Sequence, residues 1–180
     1  YRKGEITITN FTKRRKVIKM LGINGIIKFD KCNGKIDTAS VLNRMNNAIG
    51  QSASNPFEND CDGFILGTDG REKPLWNAAH TLCILFYGDL NNARLLTKQL
   101  NDEGHGVHAE TDAALVLTAF EAYGDECLKR LDGSFVFCIY NAEDKSAFLV
   151  RDRIGGKQLY YYKNEDAFVF SSTLKSLMAT

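Results

Sequence analysis

Proline is nearly absent: the 180 residues hold two. The 15 glycines are scattered, so there is no Pro- or Gly-rich linker and no low-complexity tract. One domain is expected, and 44% apolar residues are enough to give it a core. Net charge is also nearly absent, since 23 Lys and Arg against 22 Asp and Glu leave +1. That balance draws the chain neither to nucleic acid nor to an anionic membrane surface. The local exception is "TKRRKVIK", with five basic residues between positions 12 and 19, read as a solvated lead-in. No run approaches the ~18 apolar residues of a membrane span, and no signal peptide is evident.

Paired cysteines are missing too. Cys32, Cys61, Cys83, Cys127 and Cys138 form no C-x-x-C pair and are odd in number, which argues against a disulfide framework or a thiolate metal site. Cys83 and Cys138 fall within apolar runs and read as small buried hydrophobes, so a reducing cytoplasm is the expected setting. Three histidines occur. His105 and His108 form H-G-V-H in a glycine-flanked loop without a cluster of acids or cysteines beside it, and no metal is expected there. "DRIGGKQ" lacks the spacing of a phosphate-binding loop, and no G-x-S-x-G elbow occurs. No cofactor is expected.

Along the chain, "EITITNF" alternates like a strand. "LGINGIIKF" (21–29) is a buried strand by its β-branched apolar run. Residues 37–50 read as a helix capped by Asp37 or Thr38, with Val41, Leu42, Met45 and Ile49 on one face and Gly50 as its stop. "FILG" and "TLCILFYG" (81–88) read as strands with a turn-rich segment between them. Helices follow over 89–104, with Leu90, Ala93, Leu96 and Leu100 inward, and over 110–124, capped by Thr111 or Asp112. "DECLKRL" adds a short helix. "GSFVFCIYN", "SAFLVRD", "LYYYK" and "AFVFSS" form a four-strand meander, and "TLKSLMA" starts a last helix. Strands and helices are thus segregated, which predicts α+β: helices covering antiparallel sheets. By local chemistry alone, "RDR" at a strand end is a structural ion-pair cluster.

The order of these segments carries a resemblance. "LDGSFVFCIYN", "FLVRDRIGGKQLYYY" and "FVFSSTLKSLMA" resemble the L-x-G-x-F-A-F, A-R-D-R-x-G-x-K-P-L-Y-Y and F-A-S-E-x-K-A-L segments of class II glutamine amidotransferases, asparagine synthetases in particular. Upstream, "KMLGINGIIKF" is similar to M-C-G-I-x-G-I, "FYGD" to F-N-G-E, and "ETDAALVLTAFEAYG" to the helix that ends in E-x-Y-G. The similarity runs from Met20 to Ala179. It implies the N-terminal-nucleophile hydrolase fold, a four-layer αββα sandwich of two antiparallel sheets. It implies residues 20–180 as the domain and 1–19 as a basic, polar extension. In active members an N-terminal Cys thiolate attacks the glutamine amide, with its own α-amine as base near its ordinary pKa of ~8.

This sequence departs from that chemistry. Leu21 occupies the nucleophile position and has no heteroatom, and at least twenty residues precede it. Tyr87 replaces the Asn that helps hold the oxyanion, while Gly88 keeps a backbone N–H for that role. One lost oxyanion donor costs ~10²–10³ in rate. "QSASNPFEND" replaces the arginine-bearing loop and contains no Arg. Asp112 matches the acid that binds the glutamine α-amine, but Ala114 replaces a Glu. Ser172 and Thr173 replace the S-E of the last helix. Cys32 lies too far along the first strand to substitute for the nucleophile. The resemblance therefore implies a degenerate domain without hydrolase activity. It would serve a synthetase domain, in the same or another chain, of an ATP-dependent amide-forming protein; β-lactam synthetases and lasso-peptide cyclases are similar cases. Gly88, Asp112 and Tyr87 would be vestigial glutamine-binding residues. An active amidotransferase supplying ammonia to asparagine synthesis and an amino-acid sensor are the alternatives, and a homodimer is left open. Tyr1 in place of Met implies a longer natural chain, and a following S-G-G-x-D-S loop would mark the synthetase.

Overall fold

A computed structural model describes residues 22–29, 37–48, 64–68, 73–107 and 109–180. The basic lead-in, the "EITITNF" alternation, Leu21, Cys32, Ile49, Gly50, the 51–60 loop, Cys61 and His108 lie outside them. The strands are β1 (Ile23–Lys28), β2 (Phe64–Thr68), β3 (Leu75–Trp76), β4 (Leu82–Leu90), β5 (Gly133–Asn141), β6 (Ser146–Arg151), β7 (Tyr160–Lys163) and β8 (Ala167–Ser171). The helices are α1 (Thr38–Ala48), α2 (Ala93–Asp102), α3 (Asp112–Tyr123) and α4 (Leu174–Leu177), and a 3₁₀ helix spans Gly124–Lys129.

Two four-stranded antiparallel sheets result, ordered β2-β1-β8-β7 and β3-β4-β5-β6. Side chains alternate across each strand and divide the apolar residues among three layers. Phe86, Phe135, Phe137 and Ile139 turn outward from the second sheet onto Leu96, Leu100, Val116 and Leu117 of α2 and α3. Leu85, Val136 and Cys138 turn the other way and meet Ile23 and Phe170 between the sheets. Ile26 and Val169 face Leu42 and Met45 of α1 on the far side. The architecture is the four-layer αββα sandwich.

Local signals account for the element ends. Asp37 Oδ1 accepts the Ser40 N–H ahead of α1, Thr111 Oγ1 accepts the Ala114 N–H at α3, and Thr173 Oγ1 accepts the Ser176 N–H at α4. Gly124, at φ 57°, ends α3.

Three expectations need correction. Asp89 and Leu90 belong to β4, not to a helix; α2 starts at Ala93. Trp76 and Leu75 form a short strand within the turn-rich segment. The four late strands are not one meander: β5-β6 and β7-β8 are separate hairpins in different sheets, and residues 152–159 carry the chain between them. Aromatic and apolar residues run through all four strands, the exposed edge strand β7 included, so the sequence pattern contains no sign of the switch.

Candidate functional site

The predicted residues converge on the end of β4. Tyr87 pairs with Val136 and Gly88 with Phe135 on β5. Backbone polar groups alternate in direction along an antiparallel strand. Leu82 C=O accepts from Asn77 on the side away from β5, and Leu90 N–H donates to Asp112 Oδ2 on that same side at 2.8 Å. Gly88 shares their parity and lies past the two residues of β3. Its N–H is thus on the side of β4 that Asp112 borders, where a donor to a bound anion is chemically useful. Gly88 has φ 137°, and a Cβ there would overlap the Ser134 carbonyl oxygen. Glycine is a steric requirement at this point.

Tyr87 alternates to the opposite face, and its ring packs into the layer between the sheets. Lys157 Nζ lies 4.6 Å from its ring centroid, a cation–π contact. Position 87, which the resemblance aligns with an oxyanion-binding amide, carries an aromatic ring with an ammonium over it.

The loop that delivers Lys157 is the former "RDR" motif, and its reading as an ion-pair cluster is overturned. Asp152 is buried, and its carboxylate accepts the N–H groups of Gly155 (2.6 Å), Gly156 (3.0 Å) and Lys157 (3.1 Å). Arg151 donates to the Gly155 carbonyl. The ion pairs Lys129–Glu126 and Arg130–Glu103 lie elsewhere. Gly156 presses so closely on β5 that a Cβ would overlap the Ser134 hydroxyl. An Asp with two glycines three and four residues on is a turn signal, and it could have shown that this acid serves the backbone.

The start of β1 lies where the last strand ends. Ile23 N–H donates to Ser172 Oγ at 3.0 Å, and Ser172 N–H donates back to Ile23 C=O at 2.9 Å. A Cβ on Gly22 would overlap that hydroxyl. Ser172 thus fixes the backbone directly after Leu21. Lys157 is brought over Tyr87, and Asp112 is bonded at Leu90, two residues past Gly88; Leu21 and the 51–60 loop lie outside the described residues.

A family described as "Glutamine amidotransferase domain" matches residues 61–179. The chain belongs to that family. It is 28% identical over 168 residues to asparagine synthetase [glutamine-hydrolyzing] 1 of Bacillus subtilis, covering 88% of this chain and 27% of that protein. It is 30% identical over 114 residues to asparagine synthetase [glutamine-hydrolyzing] 2 of Arabidopsis thaliana, covering 63% and 19%. The chain spans about a third or less of the curated relatives it matches. Its fold resembles a glutamine phosphoribosylpyrophosphate amidotransferase from B. subtilis complexed with ADP and GMP, at TM-score 0.62 and 15% identity over 88% of this chain and 43% of that one. That fold is the N-terminal-nucleophile hydrolase sandwich, as the resemblance implied.

Within this glutamine amidotransferase domain, Asp152 gives a pH prediction. Burial alone would raise its pKa, but the N–H groups of Gly156, Lys157, Gly155 and Phe135 overcome that and hold it below the usual value. A depressed carboxylate stabilises the fold above its unfolded pKa of ~3.9, and the stabilisation is lost as pH falls through the lower folded value. Asp152→Asn is expected to cost about 1–3 kcal/mol at neutral pH. It should also flatten the decline in stability below about pH 4. Urea unfolding at both pH values checks this, and an acid profile identical to wild type would contradict it. Among the described residues no helix is long and apolar enough to cross a membrane.

Proposed function

We propose that this domain keeps the glutaminase scaffold without its hydrolase activity and is a structural or docking module of an asparagine synthetase-like, ATP-dependent amide-forming protein. Residues 20–180 form the module and 1–19 an extension. The observation that carries this reading is the loss of reactive groups at the reacting end. Leu21 supplies no nucleophile, and the Tyr87 ring, covered by Lys157, replaces a polar amide. Asp112, the vestigial acid, spends one carboxylate oxygen on the Leu90 N–H, which supports a role inside the fold and weighs against an amino-acid sensor. Exposed apolar groups support docking. Ile154 is 93% exposed on the loop pinned by Asp152, and Tyr161 and Tyr162 are exposed on the edge strand β7. Buried cysteines at positions 83, 127 and 138 that form no disulfide with one another suit a cytoplasmic location.

The test is glutamate release from glutamine by the purified chain at high enzyme concentration. No turnover above a boiled control is expected. Clear turnover would overturn the proposal and make Cys32 and Cys61 the first residues to replace.

A further inference from the structure

The two sheets do not close on each other evenly. Tyr87 and Leu159 pack into the layer between them at one end. Toward the other end, β5 and β6 offer the small side chains Cys138 and Ala147 opposite Phe168 and Phe170 of β8, and they fill the layer only in part. A cleft of about 350 Å³ opens there. Its walls are apolar, with Ile27, Phe29 and Leu149 completing them. That size and lining fall within the ~300–1,000 Å³ range of small-molecule sites.

The ionisable side chains on the cleft are Lys145, Lys163 and the Cys138 thiol. Burial pushes Cys138 far up, so it stays a neutral, apolar wall. Lys163 stands at the mouth with Nζ 5.5 Å from the Phe29 ring centroid. A wider opening of about 600 Å³ continues outward from Phe29 and Lys163 to Asn164 and Glu165. An apolar slot whose own charged side chains are both cationic, with the Glu165 carboxylate only in the wider opening, complements a molecule that is apolar along its length and anionic at one end.

We propose that this cleft binds a medium-chain alkyl carboxylate, with the chain between the sheets and the carboxylate at Lys163. The site is separate from the β4 end and stands whether or not glutamine is hydrolysed. Isothermal titration of the 180-residue chain with decanoate tests it, with decanol as the neutral control. One-to-one saturable binding of decanoate is expected. Decanol should bind about tenfold more weakly for want of the charge-assisted contact. Ala147→Phe, which fills the slot, should abolish binding while circular dichroism shows the fold retained. Lys163→Glu, an exposed change that leaves the core intact, should weaken binding about tenfold or more and keeps the proposal testable if the first variant misfolds. Absence of saturable binding to wild type, equal affinity for decanol, or an unchanged affinity in Lys163→Glu would each overturn the proposal.

Discussion

Gly88→Ala is expected to cost roughly 2–6 kcal/mol, enough to unfold much of a domain whose total stability is of order ~5–15 kcal/mol. Two separate penalties combine. The backbone at Gly88 has φ 137°, which L side chains rarely adopt. The added methyl would also overlap the Ser134 carbonyl oxygen and lie 2.6 Å from the Phe135 Cα. Both neighbours are backbone atoms of β5, directly across the ladder, so no rotamer change can relieve the overlap. Relief requires β4 and β5 to separate, and these central strands hold the apolar layer on each side together. Gly104→Ala is a useful contrast. Gly104 also has positive φ, but nothing lies near its added Cβ, so only the conformational part of the cost applies. Urea midpoints of the two variants separate strain from overlap. A Gly88→Ala midpoint equal to that of wild type would show that β4 relaxes at no cost, and the steric account of this glycine would be wrong.

Much of the molecule could be read from local pattern. The β5 strand, the cap at Thr111 and the buried stripe at Leu96 and Leu100 follow from periodicity and capping chemistry. What could not be read depends on partners remote in sequence. Leu90 looks helical beside "NNARLLTKQL", but its N–H is taken by Asp112, and pairing with Gly133 keeps it in β4. The switch of sheets after β6 leaves no trace because aromatic and apolar residues run through all four late strands, the exposed edge strand β7 included. Asp152 looked like a partner for its flanking arginines; burial and three close N–H groups decided otherwise. At the candidate site, Tyr87 and Asp112 could be singled out from the sequence, but the Lys157 cover over Tyr87 could not, because the crossover loop sets that contact.

Asn24→Ala is the second large effect, about 2–4 kcal/mol, and its cause is entirely polar. Asn24 is fully buried in β1, and its amide joins three other elements. Nδ2 donates to Asn46 Oδ1 of α1 at 2.7 Å, while Oδ1 accepts the hydroxyls of Ser171 in β8 at 2.7 Å and Ser176 in α4 at 2.8 Å. Truncation removes the donor to Asn46 and the acceptor for Ser171, and both groups are shut off from water. Ser176 loses less, since its hydroxyl also reaches the Met45 carbonyl at 2.8 Å. A double-mutant cycle with Ser176→Ala should therefore show partial coupling, with the double variant less destabilised than the sum of the two single ones. Full additivity would mean that the network does not act as a unit. The consequence extends to the candidate site. Ser171 Oγ also accepts the Thr173 N–H, and Ser172 between them holds the start of β1 just after Leu21. Three consecutive hydroxyl residues thus tie the helix layer, the sheet and the start of β1 together. Loss of Asn24 should loosen that end first, seen as faster amide exchange at Ile23 and Thr173 than at Phe137 in the opposite sheet.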